Sequence, residues 1–123
     1  MRRAIEYLND LDIVCVQTLG TYALNQEVET VKRAIEMMKS HRCNRCLFDH
    51  RQTEVIAETM EAYERSDRYK EIGLEPQMRI ASLLQEITRD LQFYRDAAVT
   101  RGWTVEIFDD YDAALAWLKK SDQ

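Results

Sequence analysis

The chain has 123 residues, enough for one domain that buries roughly two thirds of its unfolded surface around a single core. Hydrophobic residues make up 46% and charged residues 32%, a globular balance that argues against disorder. The formal charge is -5 and no arginine-lysine block is interleaved with aromatics, which argues against nucleic acid, an acidic partner or an anionic membrane surface.

Residues 2 to 8, RRAIEYL, predict a short strand with Ile5 and Tyr7 on one face and Ala4 and Glu6 on the other. Asn9-Asp10 is turn chemistry, and LDIVCVQTLG follows with β-branched Ile13, Val14 and Val16. The two segments predict an N-terminal β-hairpin closed by Gly20. From Leu24 the period changes. Leu24, Val28, Val31, Ile35 and Met38 form one helical stripe, and that helix is expected to end near His41. RCLFD, residues 45–49, then reads as a buried strand. A second helix is predicted from about Thr59 to Ile72, with Met60, Tyr63 and Tyr69 available for the core. Gly73, Leu74 and Pro76 mark its end.

RIASLLQEI, residues 79–87, predicts the next strand, and Asp90 to Arg101 a third helix ending at Gly102. TVEIF, residues 104–108, is a strand, and Asp112 can cap a last helix whose inward face is Ala113, Ala114, Trp117 and Leu118. The order β-β-α-β-α-β-α-β-α implies an α/β fold. A hairpin leads into alternating helices and strands, which form a mostly parallel sheet within one domain over residues 1–123. MRRAIEYLND lacks the apolar core of a signal peptide, and no apolar run approaches the ~20 residues of a membrane span. A cytoplasmic address follows as the expectation. Three cysteines, an odd count with Cys15 apart in an apolar run, argue against a disulfide framework.

The stretch SHRCNRCLFDH, residues 40–50, carries His41, Cys43, Cys46 and His50. Zinc ligand atoms each lie ~2.0 to 2.3 Å from the metal, whereas Cys46 and His50 on an extended segment stand about 13 Å apart. His41, Cys43 and Cys46 remain as a weak candidate set of three, with no second cluster downstream. A redox Cys-x-x-Cys is expected at a helix N-terminus, where the dipole stabilises thiolate. Here the pair follows a helix, so Cys46 reads as a core residue and Cys43 as a loop residue, with no metal or cofactor expected.

In open α/β sheets, ligands gather beyond the carboxyl ends of the parallel strands. Those ends carry Asp49, His50 and Arg51, then Glu86, Thr88 and Arg89, then Asp109 and Asp110. They form a candidate binding cleft. The same segments carry no receiver-type pattern, because the acidic pair comes last instead of first. There is no Gly-x-Ser-x-Gly, and glycines at 20, 73 and 102 alone cannot build a phosphate loop. No positioned catalytic constellation is present, so the expectation is a protein that is not an enzyme.

The last third carries a more specific pattern. Arg101, Gly102 and Trp103 lead into a short strand ending at Phe108, followed by Asp109 and then Ala114, Leu115, Ala116, Trp117 and Leu118. With LFDHR placing Asp49 and Arg51 after an earlier strand, the chain resembles the STAS-like bacterial proteins of largely uncharacterised function over nearly its whole length. The resemblance implies a single STAS-like domain, similar in fold to anti-sigma factor antagonists and to lipid-carrying CRAL-TRIO domains. Regulatory antagonists have Asp-Ser-Ser/Thr-Gly at the helix start, where phosphorylation of the serine abolishes partner binding by adding charge. This chain has DHRQTEVIAETMEAY there, and its Thr53 and Thr59 read as helix caps.

The function expected from this reading is a regulatory or protein-interaction module, with an unknown protein partner and a homodimer as one form. The competing expectation is a binder of a small apolar ligand or lipid, using a pocket between sheet and helices.

Overall fold

The computed structural model describes residues 2–24, 28–56 and 62–120. Their order is β1 (Arg2–Leu8), β2 (Ile13–Ala23), α1 (Val28–Ser40), β3 (Arg45–His50), β4 (Thr53–Ile56), α2 (Ala62–Glu71), β5 (Arg79–Leu84), α3 (Arg89–Thr100), β6 (Thr104–Phe108) and α4 (Tyr111–Lys119). The fold is α/β, with six strands in the order β1-β2-β3-β5-β6 and β4 added on β2. The sheet is mixed, a correction to the mostly parallel sheet expected. The β1–β2 hairpin is antiparallel, while β2–β3, β2–β4, β3–β5 and β5–β6 are parallel.

Alternation along the strands separates two cores. Val14, Val16, Cys46, Phe48 and Ile80 face α1, whose Val31, Ala34, Ile35 and Met38 are buried against them. Ile13, Cys15, Leu47, Ala81 and Leu83 face the other way and meet Ala114 and Leu118 of α4. Ile35 and Leu118 are essentially fully buried, each contributing about 1.5–3 kcal/mol of transfer free energy.

Three helices stop by the same device. In α2, Gly73 takes φ 99° and the Leu74 amide donates to the Tyr69 carbonyl at 2.9 Å. In α3, Gly102 takes φ 94° and the Trp103 amide donates to Ala98 at 3.1 Å. In α1, the left-handed position is filled by Arg42 (φ 52°), and the Cys43 amide donates to Met38 at 2.8 Å. Each is a Schellman stop with an apolar residue just beyond it, and Cys43 and Leu74 are buried there.

Several expectations need correction. Residues 53–56 form β4, and Thr53 is a buried strand residue instead of a helix cap. Thr59 and Met60 lie outside the described residues. Tyr63 is 41% exposed and does not enter the core. Leu24 lies in the turn after β2 and packs near Tyr94 and Ala97, not on the α1 stripe. The β5 strand ends at Leu84 because Thr88 caps α3, its Oγ1 accepting the Leu91 amide. Asp110, not Asp112, caps α4, so the helix starts earlier and Ala113 turns outward.

Candidate functional site

Two side chains adjacent in sequence leave β3 on opposite faces. Asp49 pairs in register with Gln17 and Leu83, on the α4 face. His50 lies on the other face, below the helical layer formed by α1, α2 and α3. The candidate cleft that sequence order suggested is therefore divided by the sheet.

On the α4 side, Arg51 makes a forked contact with Asp49. Its Nε donates to Oδ1 at 3.0 Å and its Nη2 to Oδ2 at 2.8 Å. The Arg51 guanidinium also lies 5.1 Å from the Tyr111 ring centroid. Hydrogen bonds from Arg51 hold the Asp49 carboxyl below its ordinary pKa. This pair lines an open groove of about 340 Å³ together with Arg2, Arg3, Gln17 and Gln52. The hairpin residues of that groove lie more than thirty positions from Asp49 in the chain, so the order of strand ends does not point to them. The remaining members are not drawn in. Glu86, Arg89 and Asp109 are exposed and join no hydrogen bond or ion pair among the described residues, and Asp110 is engaged as the α4 cap.

On the other side lies a cavity of about 90 Å³ between the sheet and α1–α3. Its floor includes Phe48, Ile80, Ser82 and Val105, and its walls include Val31, Tyr69, Leu91 and Tyr94. His50 lines it and is 2% exposed. The His50 Nδ1 lies 2.7 Å from Thr18 Oγ1, which in turn lies 2.6 Å from Thr53 Oγ1. Burial pushes the His50 pKa down to about 4, with Arg65 acting in the same direction and Asp49 against it, so the ring is neutral at pH 7.

Arg65 also lines this cavity and is only 4% exposed. Nothing in the polar segment AYERSDRYKE marks Arg65 as an inward residue. Its Nε donates to the Tyr69 hydroxyl at 2.9 Å, and its guanidinium lies 5.3 Å from that ring's centroid. Burial opposes its charge, but the neighbouring Tyr69 and Tyr22 reverse the balance and leave its pKa raised. The group is a permanent cation. No carboxylate of the described residues pairs with it, and its buried Nη1 has no hydrogen-bond partner among them. At the cavity's edge a second arginine is fully paired: Arg95 binds Glu106 through a fork of 3.1 and 2.9 Å.

The cysteine-histidine stretch makes no such site. Tyr7 and His41 stack, with ring centroids 4.0 Å apart, at the exposed end of α1. Cys43 is buried beyond the Schellman stop, donating its thiol toward the Asp12 and Arg45 carbonyls at 3.2 and 3.3 Å. Cys46 lies inside the sheet. Burial raises the pKa of Cys43 and raises that of Cys46 well above the ordinary value. Cys15 is pushed up to about 11 by the same cause. Among the described residues, no group of three or more His, Cys, Asp and Glu side chains is arranged to hold a metal ion. None of the described helices is long and apolar enough to cross a membrane.

No family model matches the chain, and no curated protein is significantly similar to it.

Proposed function

We propose that this protein is a non-catalytic binding domain of STAS-like type that holds a small ligand between its sheet and its helical layer. The observation that carries this reading is the cavity walled by α1, α2 and α3, apolar over most of its lining but crossed by Arg65, His50 and tyrosine side chains. A pocket with a mainly apolar wall and a few convergent polar groups is the usual form of a small-molecule site. It is more confined than a groove for a whole lipid, so the ligand is small.

Native mass spectrometry of gently purified, untagged protein tests the proposal. A retained mass on the order of one hundred daltons, lost on denaturation, is the expected result. Bare protein, together with no protection from a broad small-molecule library in thermal melts, would count against it.

A second reading, the regulatory interaction module, is favoured by the other site. The groove beside the hairpin sets Arg2 and Arg3 next to the Asp49–Arg51 pair, a local basic cluster that suits an acidic segment of a protein partner even though the chain's net charge of -5 argued against one. Under this reading Arg2→Ala or Arg3→Ala weakens partner capture while leaving the fold intact. A cytoplasmic location and a homodimer belong to the same proposal.

A further inference from the structure

An unpaired cation inside a protein needs a physical reason. Charge is costly to remove from water, and buried side chains that carry it are almost always paired. Arg65 is buried in the middle of α2 and lines the cavity; Tyr69 and Tyr22 hydrogen-bond to it, and among the described residues its buried Nη1 has no partner and no carboxylate balances its charge. The opposite sign is not supplied by the neighbouring wall. His50 is neutral, and the Glu106 carboxylate is committed to Arg95. The hydroxyls of the tyrosines add polarity without charge. Elsewhere the lining is hydrocarbon, chiefly Phe48, Ile80, Leu84 and Leu91.

We propose that the cavity binds a singly charged organic carboxylate, its head on the Arg65 guanidinium and its short hydrocarbon body against Phe48, Ile80 and Leu91. This rests on the reading of the cavity as a ligand site and specifies the chemical class of its occupant. One buried positive charge balances one negative charge, so a carboxylate fits where a doubly charged phosphate would leave an excess. The planar guanidinium also matches a carboxylate in shape. The volume of about 90 Å³ sets a short acid above a long-chain one.

The experiment compares hexanoate with hexanamide, which has nearly the same shape and no charge, by protein-observed NMR titration at pH 7.5. Butyrate and octanoate, with their amides, extend the series. A hydrogen bond to a charged group is worth about 1.5–3 kcal/mol, so the acid of best-fitting length should bind about 10- to 100-fold more tightly than its amide. Shifts should centre on residues lining the cavity. In Arg65→Met the acid's advantage should vanish while amide binding persists, and Arg65→Lys should retain a preference for the acid. If the Met variant does not fold, the acid-to-amide ratio on the native chain decides by itself. Equal binding of acid and amide overturns the anion assignment and leaves the ligand site standing. Absence of binding by every acid and amide at millimolar concentration overturns both.

Discussion

Thr18 Oγ1 and His50 Nδ1 lie 2.7 Å apart beneath the helical layer, joining the middle of β2 to the last residue of β3. The contact fixes one ring nitrogen of a histidine that the fold keeps neutral, and pH should reveal it. With the folded pKa near 4 and the unfolded value near 6.5, the unfolded chain binds the extra proton between them. Stability should therefore be full above about pH 6.5 and fall by on the order of 3 kcal/mol as the pH drops toward 4. Asp49 acts in a lower window. Its pKa is depressed, so its contribution is present above 3.8 and disappears only below it. Urea unfolding of the native chain and of His50→Gln between pH 7.5 and 4.5 separates the two, with the variant expected to show the flatter profile.

The same threonine also meets Thr53, so one hydroxyl serves two buried partners. Thr18→Val keeps the side chain's shape and strands both. A loss of about 1–3 kcal/mol is expected, in line with leaving buried polar groups unpaired. Denaturant midpoints at pH 7 measure it, and an unchanged midpoint would show that Thr53 and His50 find satisfaction elsewhere.

Arg42 occupies a left-handed backbone position that the equivalent stops of α2 and α3 give to glycine. Relieving the Cβ clash should outweigh the added freedom of the unfolded chain. Arg42→Gly is expected to stabilise the protein by about 0.5–1 kcal/mol, read as a rise in melting temperature. A drop instead would mean that the arginine side chain contributes more than its backbone costs.

The three thiols are buried and their pKa values are raised, so the thiolate is scarce at neutral pH. An aromatic disulfide reagent at pH 7.5 should modify the folded protein far more slowly than the protein in denaturant, where all three titrate. Rapid reaction of one cysteine in the folded state would show that thiol to be more open than its packing indicates.

How much of this was legible in the sequence depends on which interaction decided each element. The hairpin could be read because Ile5 and Tyr7 alternate with polar residues against the β-branched run of β2. The helices announced their ends through Gly73 and Gly102, whose conformation is local. β4 escaped because its four residues are strand only by pairing with β2, a contact more than thirty positions away; the β-branched Thr53, Val55 and Ile56 were the available signal. Asp49 and Arg51 do line a groove, but strand alternation sends His50 through the sheet to the other face. Arg65 could not be found from its neighbours in AYERSDRYKE, a polar segment whose burial depends wholly on what packs above and below it.

The shared stop of α1, α2 and α3 also says where an engineer could lengthen this chain. Each stop delivers an anchored residue, Cys43, Leu74 or Trp103, to the foot of the sheet shortly before β3, β5 or β6 begins. Extra residues spliced there would break a hydrogen-bonded hinge only a few residues long. The opposite rim is built differently: Gln85 and Glu86 after β5 and Asp109 after β6 are exposed, and only short caps follow them. Peptide insertions should be accepted at that rim and rejected at the foot, making one end of the molecule a fixed base and the other a surface open to remodelling.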